Sequence, residues 1–201
     1  MNIDAIIFDI GNVLVQWDPA NLYRKIFPVE EERVHFLNTV CTMDWHTLQD
    51  AGRSPQEGIT ELVKKYPEYQ EAIHAFYDRW EEMFEGPIVG SVQLLKEVKE
   101  KGYRVYALSN YNAELYQRTI NDFPFLDWFD GKIISSVEKM KKPDENIYQL
   151  LFHRFAVDPN RAVFIDDNAA NIATARRLGL DGILLTTPEV LRKELQTRNI
   201  I

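Results

Sequence analysis

The run from Ile3 to Leu14, I-D-A-I-I-F-D-I-G-N-V-L, constrains the fold most. Ile3, Ala5, Ile6, Ile7 and Phe8 form an apolar stretch too short for a globular helix and rich in β-branched side chains. It reads as a strand buried on both faces. Asp9 closes it, and Gly11-Asn12 turn the chain away. Open α/β sheets hold their ligands in the crevice beyond the carboxyl ends of the strands. Asp9 is therefore either part of such a site or the cap of a turn.

Three later stretches favour a site. Tyr103 to Asn110 (Y-R-V-Y-A-L-S-N) is a second apolar strand, ending in a hydroxyl and an amide. Lys142-Pro143-Asp144 opens a helix, and Ala162 to Asn168 (A-V-F-I-D-D-N) is a third strand, ending in paired carboxylates. A carboxylate nucleophile, a hydroxyl, an ammonium and an acidic pair of metal-binding type are the parts that phosphoryl transfer through an aspartyl-phosphate requires.

Between and after these stretches the pattern is helical or alternating. Asp18-Pro19 starts a helix as N-cap and first residue, so Asp18 is structural. Further helices are expected over Glu31 to Cys41, Pro55 to Tyr66 and Glu68 to Phe84, with no strand from about Gln16 to Glu85. Ser91 is expected to cap a helix ending at Lys101. From there strands and helices alternate: helix 113–120, strand 132–135, helix 145–155, strand 162–165, helix 169–178, strand 182–185 and helix 188–198. Such alternation predicts an α/β fold, a Rossmann-like parallel sheet with helices on both faces. The expected division is a core of residues 1–15 and 87–201 with an inserted helical cap, 16–86.

The 201 residues carry 45% hydrophobic and 27% charged side chains, which fits a globular chain, and no apolar run approaches membrane-spanning length. A net charge of -8 argues against a nucleic-acid partner, while a lysine and Mg2+ can still reverse the field within one cleft. The single Cys41 excludes an internal disulfide and a thiolate cluster and is expected in the core. The N-terminus lacks a basic lead and carries Asp4 and Asp9 in its apolar stretch, so it does not read as a secretory signal, and the cytoplasm is the expected compartment. Oligomeric state is not readable.

The order F-D-x-G-N-V-L, L-S-N, K-P-D, F-I-D-D-N, with a helical insert after the first, resembles the haloacid dehalogenase superfamily over nearly the whole chain. Within it, the D-x-G-N-V opening and the D-D-N-A-x-N-I segment are most similar to phosphatases of α-D-glucose-1-phosphate and related sugar phosphates. The resemblance implies that Asp9 attacks phosphorus, Ser109 and Asn110 hydrogen-bond the phosphoryl oxygens, and Lys142 pairs with Asp9 and the phosphate. It also implies that Asp166, with Asp167 beside it, holds Mg2+. Asp167 is either a direct ligand or a supporting or capping group. Asn171 is either a contact to this pair or a helix-surface residue, and the surface is expected.

The sequence departs from the family pattern at Gly11. Most phosphatases of the superfamily carry there a second Asp that protonates the leaving group and later activates water. Gly11 retains only a backbone carbonyl to offer the metal, which leaves the acid-base role open. Asp44 and His46 are candidates by residue type. Without an acid, the first step should depend steeply on the leaving group, favouring sugar-1-phosphates. The expected activity is thus Mg2+-dependent hydrolysis of a small phosphorylated metabolite. The alternatives are a 2-haloacid dehalogenase, for which Asp166-Asp167 would be uncompensated charge, and a non-catalytic phosphate-sensing or protein-binding module.

Overall fold

The computed structural model describes residues 3–201. In chain order, β1 (Ala5–Phe8) and β2 (Val15–Trp17) lead into α1 (Pro19–Ile26), α2 (Glu30–Thr39), α3 (Met43–Asp50), α4 (Pro55–Lys65) and α5 (Gln70–Asp78), and the chain returns through β3 (Phe84–Pro87). The remainder alternates: α6 (Val89–Glu100), β4 (Arg104–Ser109), α7 (Ala113–Asp122), β5 (Gly131–Ile134), the short α8 (Ser135–Glu138), α9 (Glu145–Phe155), β6 (Ala162–Asp166), α10 (Ala169–Arg177), β7 (Asp181–Leu184) and α11 (Pro188–Thr197).

β1 lies at the centre of a five-stranded sheet ordered β5-β4-β1-β6-β7, and every pairing is parallel. Its four residues are wholly buried, as a strand flanked by two others and covered on both faces must be. The register determines the geometry of the strand ends. Phe8 is level with Ala107 of β4 and Ile165 of β6, so the next residues, Asp9, Leu108 and Asp166, leave the sheet side by side, with Ser109 one step beyond.

Helix starts follow their local sequence. Asp18 accepts a hydrogen bond from the Ala20 N–H at 2.8 Å ahead of Pro19, and Ser54 and Glu57 form a reciprocal capping box at α4. Ser91, expected as a cap, instead lies inside α6, which begins two residues earlier behind Ile88. The helix expected over Glu68 to Phe84 ends at Asp78 and passes through a 3-10 turn, Trp80–Met83.

The region expected to lack strands is bounded by two. β2 and β3 pair antiparallel, Val15 with Pro87 and Gln16 with Gly86, and Gly86 holds φ +131°, a region that a side chain disfavours. These strands are too short to show an alternating pattern, and they form a two-stranded sheet separate from the main one. The helices of residues 19–78 therefore join the sheet through a two-stranded ribbon. One hydrophobic cluster runs without a break from Ile6, Phe8 and Ile165 on one sheet face to Phe36, Phe76 and Trp80 among those helices, with Cys41 buried in it. The opposite sheet face packs on α9 and α10 through Tyr148, Leu151 and Ile172.

Candidate active site

The four sequence segments singled out above converge at the carboxyl ends of β1, β4 and β6. Asp9 Oδ1 accepts three hydrogen bonds: from the Ile10 N–H at 2.7 Å, the Ser109 hydroxyl at 2.8 Å and the Lys142 ammonium at 2.9 Å. Oδ2 has no donor among the described residues. Burial pushes the Asp9 carboxyl up to about 7; the charge of Lys142 opposes this, and that of Asp166 adds to it.

Lys142 is 2% exposed and bridges two carboxylates, reaching Asp166 Oδ2 at 2.7 Å as well as Asp9. Burial alone would lower its pKa, but the negative charges of Asp166 and Asp9 reverse that and raise it. Its main chain is gripped by Asn110, whose Oδ1 accepts from the Lys142 N–H at 2.8 Å and whose amide donates to the Lys142 carbonyl at 2.9 Å. Asn110 thus spends most of its hydrogen-bonding capacity on placing the lysine and keeps one amide hydrogen for the cleft it lines. Ser109 is buried, with its hydroxyl turned to Asp9.

Asp166 is fully buried. Its Oδ1 accepts from the Asn168 N–H at 2.8 Å and the Asn171 amide at 3.0 Å, and its Oδ2 takes Lys142 and the same amide at 3.1 Å. Asn171 is therefore buried against the acidic pair, not on the helix surface as expected. Asp167 is exposed and lines the cleft, and its carboxyl is raised by partial burial and by the charge of Asp166. Oxygens of Asp9, Asp166 and Asp167 lie within 4.8 Å of one another. An all-oxygen donor set in which the charge of Asp166 raises the pKa of both Asp9 and Asp167 suits a hard divalent cation. Asp9, Asp166 and Asp167 each offer one oxygen to such a cation. Gly11 lines the same cleft; a Cβ there would meet nothing within 4 Å.

The helical insert roofs this cleft of about 190 Å³ with Trp17, Met43, His46, Trp80 and Phe84. Asp44 is exposed in the first turn of α3 and does not line it, whereas His46 does. Asp50, one turn beyond His46, is also buried in the cleft wall, and sequence reasoning missed it. The available signal was an i, i+4 spacing of two ionisable groups on one helix face.

A parallel sheet with a buried carboxylate–lysine–carboxylate bridge at its strand ends, roofed by a helical insert, defines a hydrolase whose candidate site lies in the crevice beyond those ends. The pattern of the haloacid dehalogenase-like hydrolases matches residues 3–179, and the chain belongs to that family. A sesquiterpene phosphatase of Aspergillus oryzae is 25% identical, over 90% of this chain and 89% of its own length. A phosphorylated carbohydrates phosphatase of Thermotoga maritima is also 25% identical, over 90% and 83%. Other relatives are much longer: the chain spans 35% of a drimenol cyclase of Aspergillus calidoustus, at 24% identity over 95% of this chain. Among solved structures, a HAD family enzyme of Bacteroides thetaiotaomicron in complex with magnesium and inorganic phosphate has a TM-score of 0.68 at 24% identity, covering 92% of this chain and 95% of that one. L-2-haloacid dehalogenase of Xanthobacter autotrophicus has a TM-score of 0.64 at 18% identity, covering 99% and 84%. The fold is thus shared by enzymes that act on different bonds, and the site must decide between them. No helix among the described residues is long and apolar enough to cross a membrane.

Proposed function

We propose that this hydrolase is a Mg2+-dependent phosphomonoesterase of small phosphorylated metabolites, acting in the cytoplasm through a phosphoryl group carried on Asp9. The observation that carries this reading is the convergence of Asp9, Asp166 and Asp167 around one lysine. Displacement of halide at carbon needs no metal, and an Asp167 carboxylate beside an anionic haloacid would be unfavourable. Phosphoryl transfer needs that negative charge, because Mg2+ held by Asp9, Asp166, Asp167 and the Gly11 carbonyl would offset the charge of the phosphate. Asp9 Oδ2 attacks phosphorus while Ser109 and Lys142 fix the orientation of its carboxylate. Lys142 and the remaining Asn110 amide hydrogen bind the transferring phosphoryl oxygens.

A sugar-1-phosphate is the substrate reading that the sequence resemblance and the carbohydrate-phosphate relative support. The aromatic roof of Trp17, Trp80 and Phe84 suits a sugar ring's C–H face, and equally the apolar group handled by a relative such as the terpenoid phosphatase. The residues 16–86 serve as the cap that selects the leaving group. The test is a screen for inorganic phosphate release over sugar-1-phosphates, sugar-6-phosphates, terpenyl phosphates and aryl phosphates, with Mg2+ and with chelator. Release that persists unchanged in excess chelator, or no release from any member together with halide release from 2-haloacids, overturns the reading.

A further inference from the structure

The insert of residues 19–78 carries a chain of buried polar groups inside an otherwise aromatic core. Arg53 donates to Gln49 Oε1, which fixes the orientation of that amide; Gln49 Nε2 then donates to the Trp45 carbonyl at 2.9 Å and to the Tyr77 hydroxyl at 2.7 Å. The Tyr77 hydroxyl also pairs with His46 Nδ1, 3.2 Å away. His46 is stacked on Trp17 at 5.3 Å. Its other ring nitrogen faces Asp50, with 3.9 Å between Nε2 and Oδ2.

At that distance no hydrogen bond forms. The Asp50 carboxyl accepts none from any described residue, although 6% exposure leaves it little contact with water. Its main chain, by contrast, is pinned to the sheet: Ser135, just after β5, donates its hydroxyl to the Asp50 carbonyl at 2.6 Å while accepting from the Tyr111 N–H at 2.9 Å. A buried carboxyl without a hydrogen-bond donor, facing His46 at ion-pair distance, is thus carried on a pinned main chain into the wall of the cleft that Asp9 also lines. Such a group is costly unless it has work to do.

We propose that Asp50 is the general acid and base of this hydrolase, replacing the carboxyl absent at Gly11, with His46, Tyr77 and Gln49 as its positioning residues. The proposal rests on the phosphatase reading and deepens it. In the first half-reaction the bond from phosphorus to the leaving oxygen breaks as Asp9 Oδ2 bonds to phosphorus, and the Asp50 proton passes to that oxygen, leaving Asp50 ionised. In the second, water attacks the phosphoryl group and gives its proton to Asp50. The bond from Asp9 to phosphorus breaks, releasing phosphate and restoring both carboxyl groups. Burial pushes the Asp50 carboxyl up, against the pull of His46 and of Lys141 and Lys142, the charged groups that face it. Burial also holds His46 below its usual value, against the opposing charge of Asp50. With Asp50 present, the steep leaving-group dependence anticipated from Gly11 gives way to a shallow one.

The experiment compares kcat/KM, which reports phosphoryl transfer to Asp9, across alkyl, phenyl and dinitrophenyl phosphates in wild type and Asp50→Asn. Active enzyme is counted by the burst of dinitrophenolate. The variant should lose about 10²- to 10⁴-fold on alkyl phosphates and little on dinitrophenyl phosphate, whose leaving oxygen needs no proton. Its kcat on the latter should fall as phosphorylated Asp9 accumulates. Asp50→Ser, smaller and equally unable to supply the proton, should show the same slope. A loss of kcat/KM that is uniform across the series, as a structural or substrate-binding role would give, overturns the proposal, as does no loss at all. A wild type that releases phosphate from none of these esters overturns the phosphatase reading itself, and this proposal with it.

Discussion

Removing the Lys142 ammonium tests the charge balance of the site without reference to substrate. In Lys142→Met the apolar stem is retained over the Phe164 ring, against which the ammonium now sits at 5.5 Å. The charge that bridges Asp9 and Asp166 at 2.9 and 2.7 Å is lost. Breaking one partner out of a buried ion network costs about 3–5 kcal/mol, because the remaining charge is left uncompensated. For a chain of this length each kcal/mol shifts the thermal midpoint by about 2–4 °C, so the variant should melt roughly 6–20 °C lower at neutral pH. Asp9 can relieve the strain by taking up a proton, so in the variant its folded pKa rises further above the unfolded one. The gap to wild type is then small below about pH 4, near the unfolded value, and widens as pH rises through the folded values. Thermal unfolding followed by circular dichroism from pH 4 to 8 measures it. Adding Asp166→Asn to the variant should recover part of the loss, since one uncompensated charge goes. A loss below about 1 kcal/mol at neutral pH, or one that does not change with pH, refutes the reasoning.

Asp9→Asn keeps the shape but not the nucleophile; phosphate release should fall by several orders of magnitude while the circular dichroism spectrum is unchanged, and substantial residual rate would mean direct attack by water. Chelation should silence the wild type and Mg2+ restore it. Asp167→Ala should raise the Mg2+ concentration for half-maximal rate, and Asp166→Ala should in addition lower the melting temperature, because it frees Lys142; equal effects from both would dissolve that distinction. His46 is buried neutral, so its folded pKa lies below the unfolded value near 6.5. Stability should therefore be present above about pH 6.5 and fall as pH drops below it, and His46→Gln should flatten that fall in a melting series from pH 8 to 5.

The sheet and its site were legible because each strand announces itself twice, as a short β-branched run and as the polar group that ends it. Asp9, Ser109 and Asp166 follow Phe8, Leu108 and Ile165 directly, and parallel register brings them together without further information. The insert was less legible. α3 went unrecognised because its buried face carries His46, Gln49 and Asp50 alongside Trp45, so polar side chains occupy positions where periodicity looks for apolar ones. The same substitution of polar for apolar concealed Asp50. Asn110 shows a different limit: its residue type suits phosphate or backbone alike, and only the fold shows that its amide grips Lys142. β2 and β3 were hidden by brevity.

The charge of the cleft links its two halves. Among the described residues lining it, the carboxyl groups of Asp9, Asp50 and Asp167 face the single ammonium of Lys142. Bringing in a phosphate dianion adds two more negative charges, which a divalent cation at Asp9, Asp166 and Asp167 would cancel on the sheet side. Asp50 lies on the roof side, so the entering phosphate raises its proton affinity further. Substrate binding thus secures the acid in the protonated form that the first step consumes. Departure of the leaving group then leaves a carboxylate near the phosphoryl group, where it can take the proton of the attacking water molecule. One carboxyl on the cap helix meets the opposite demands of the two half-reactions because the charge of the cleft differs between them.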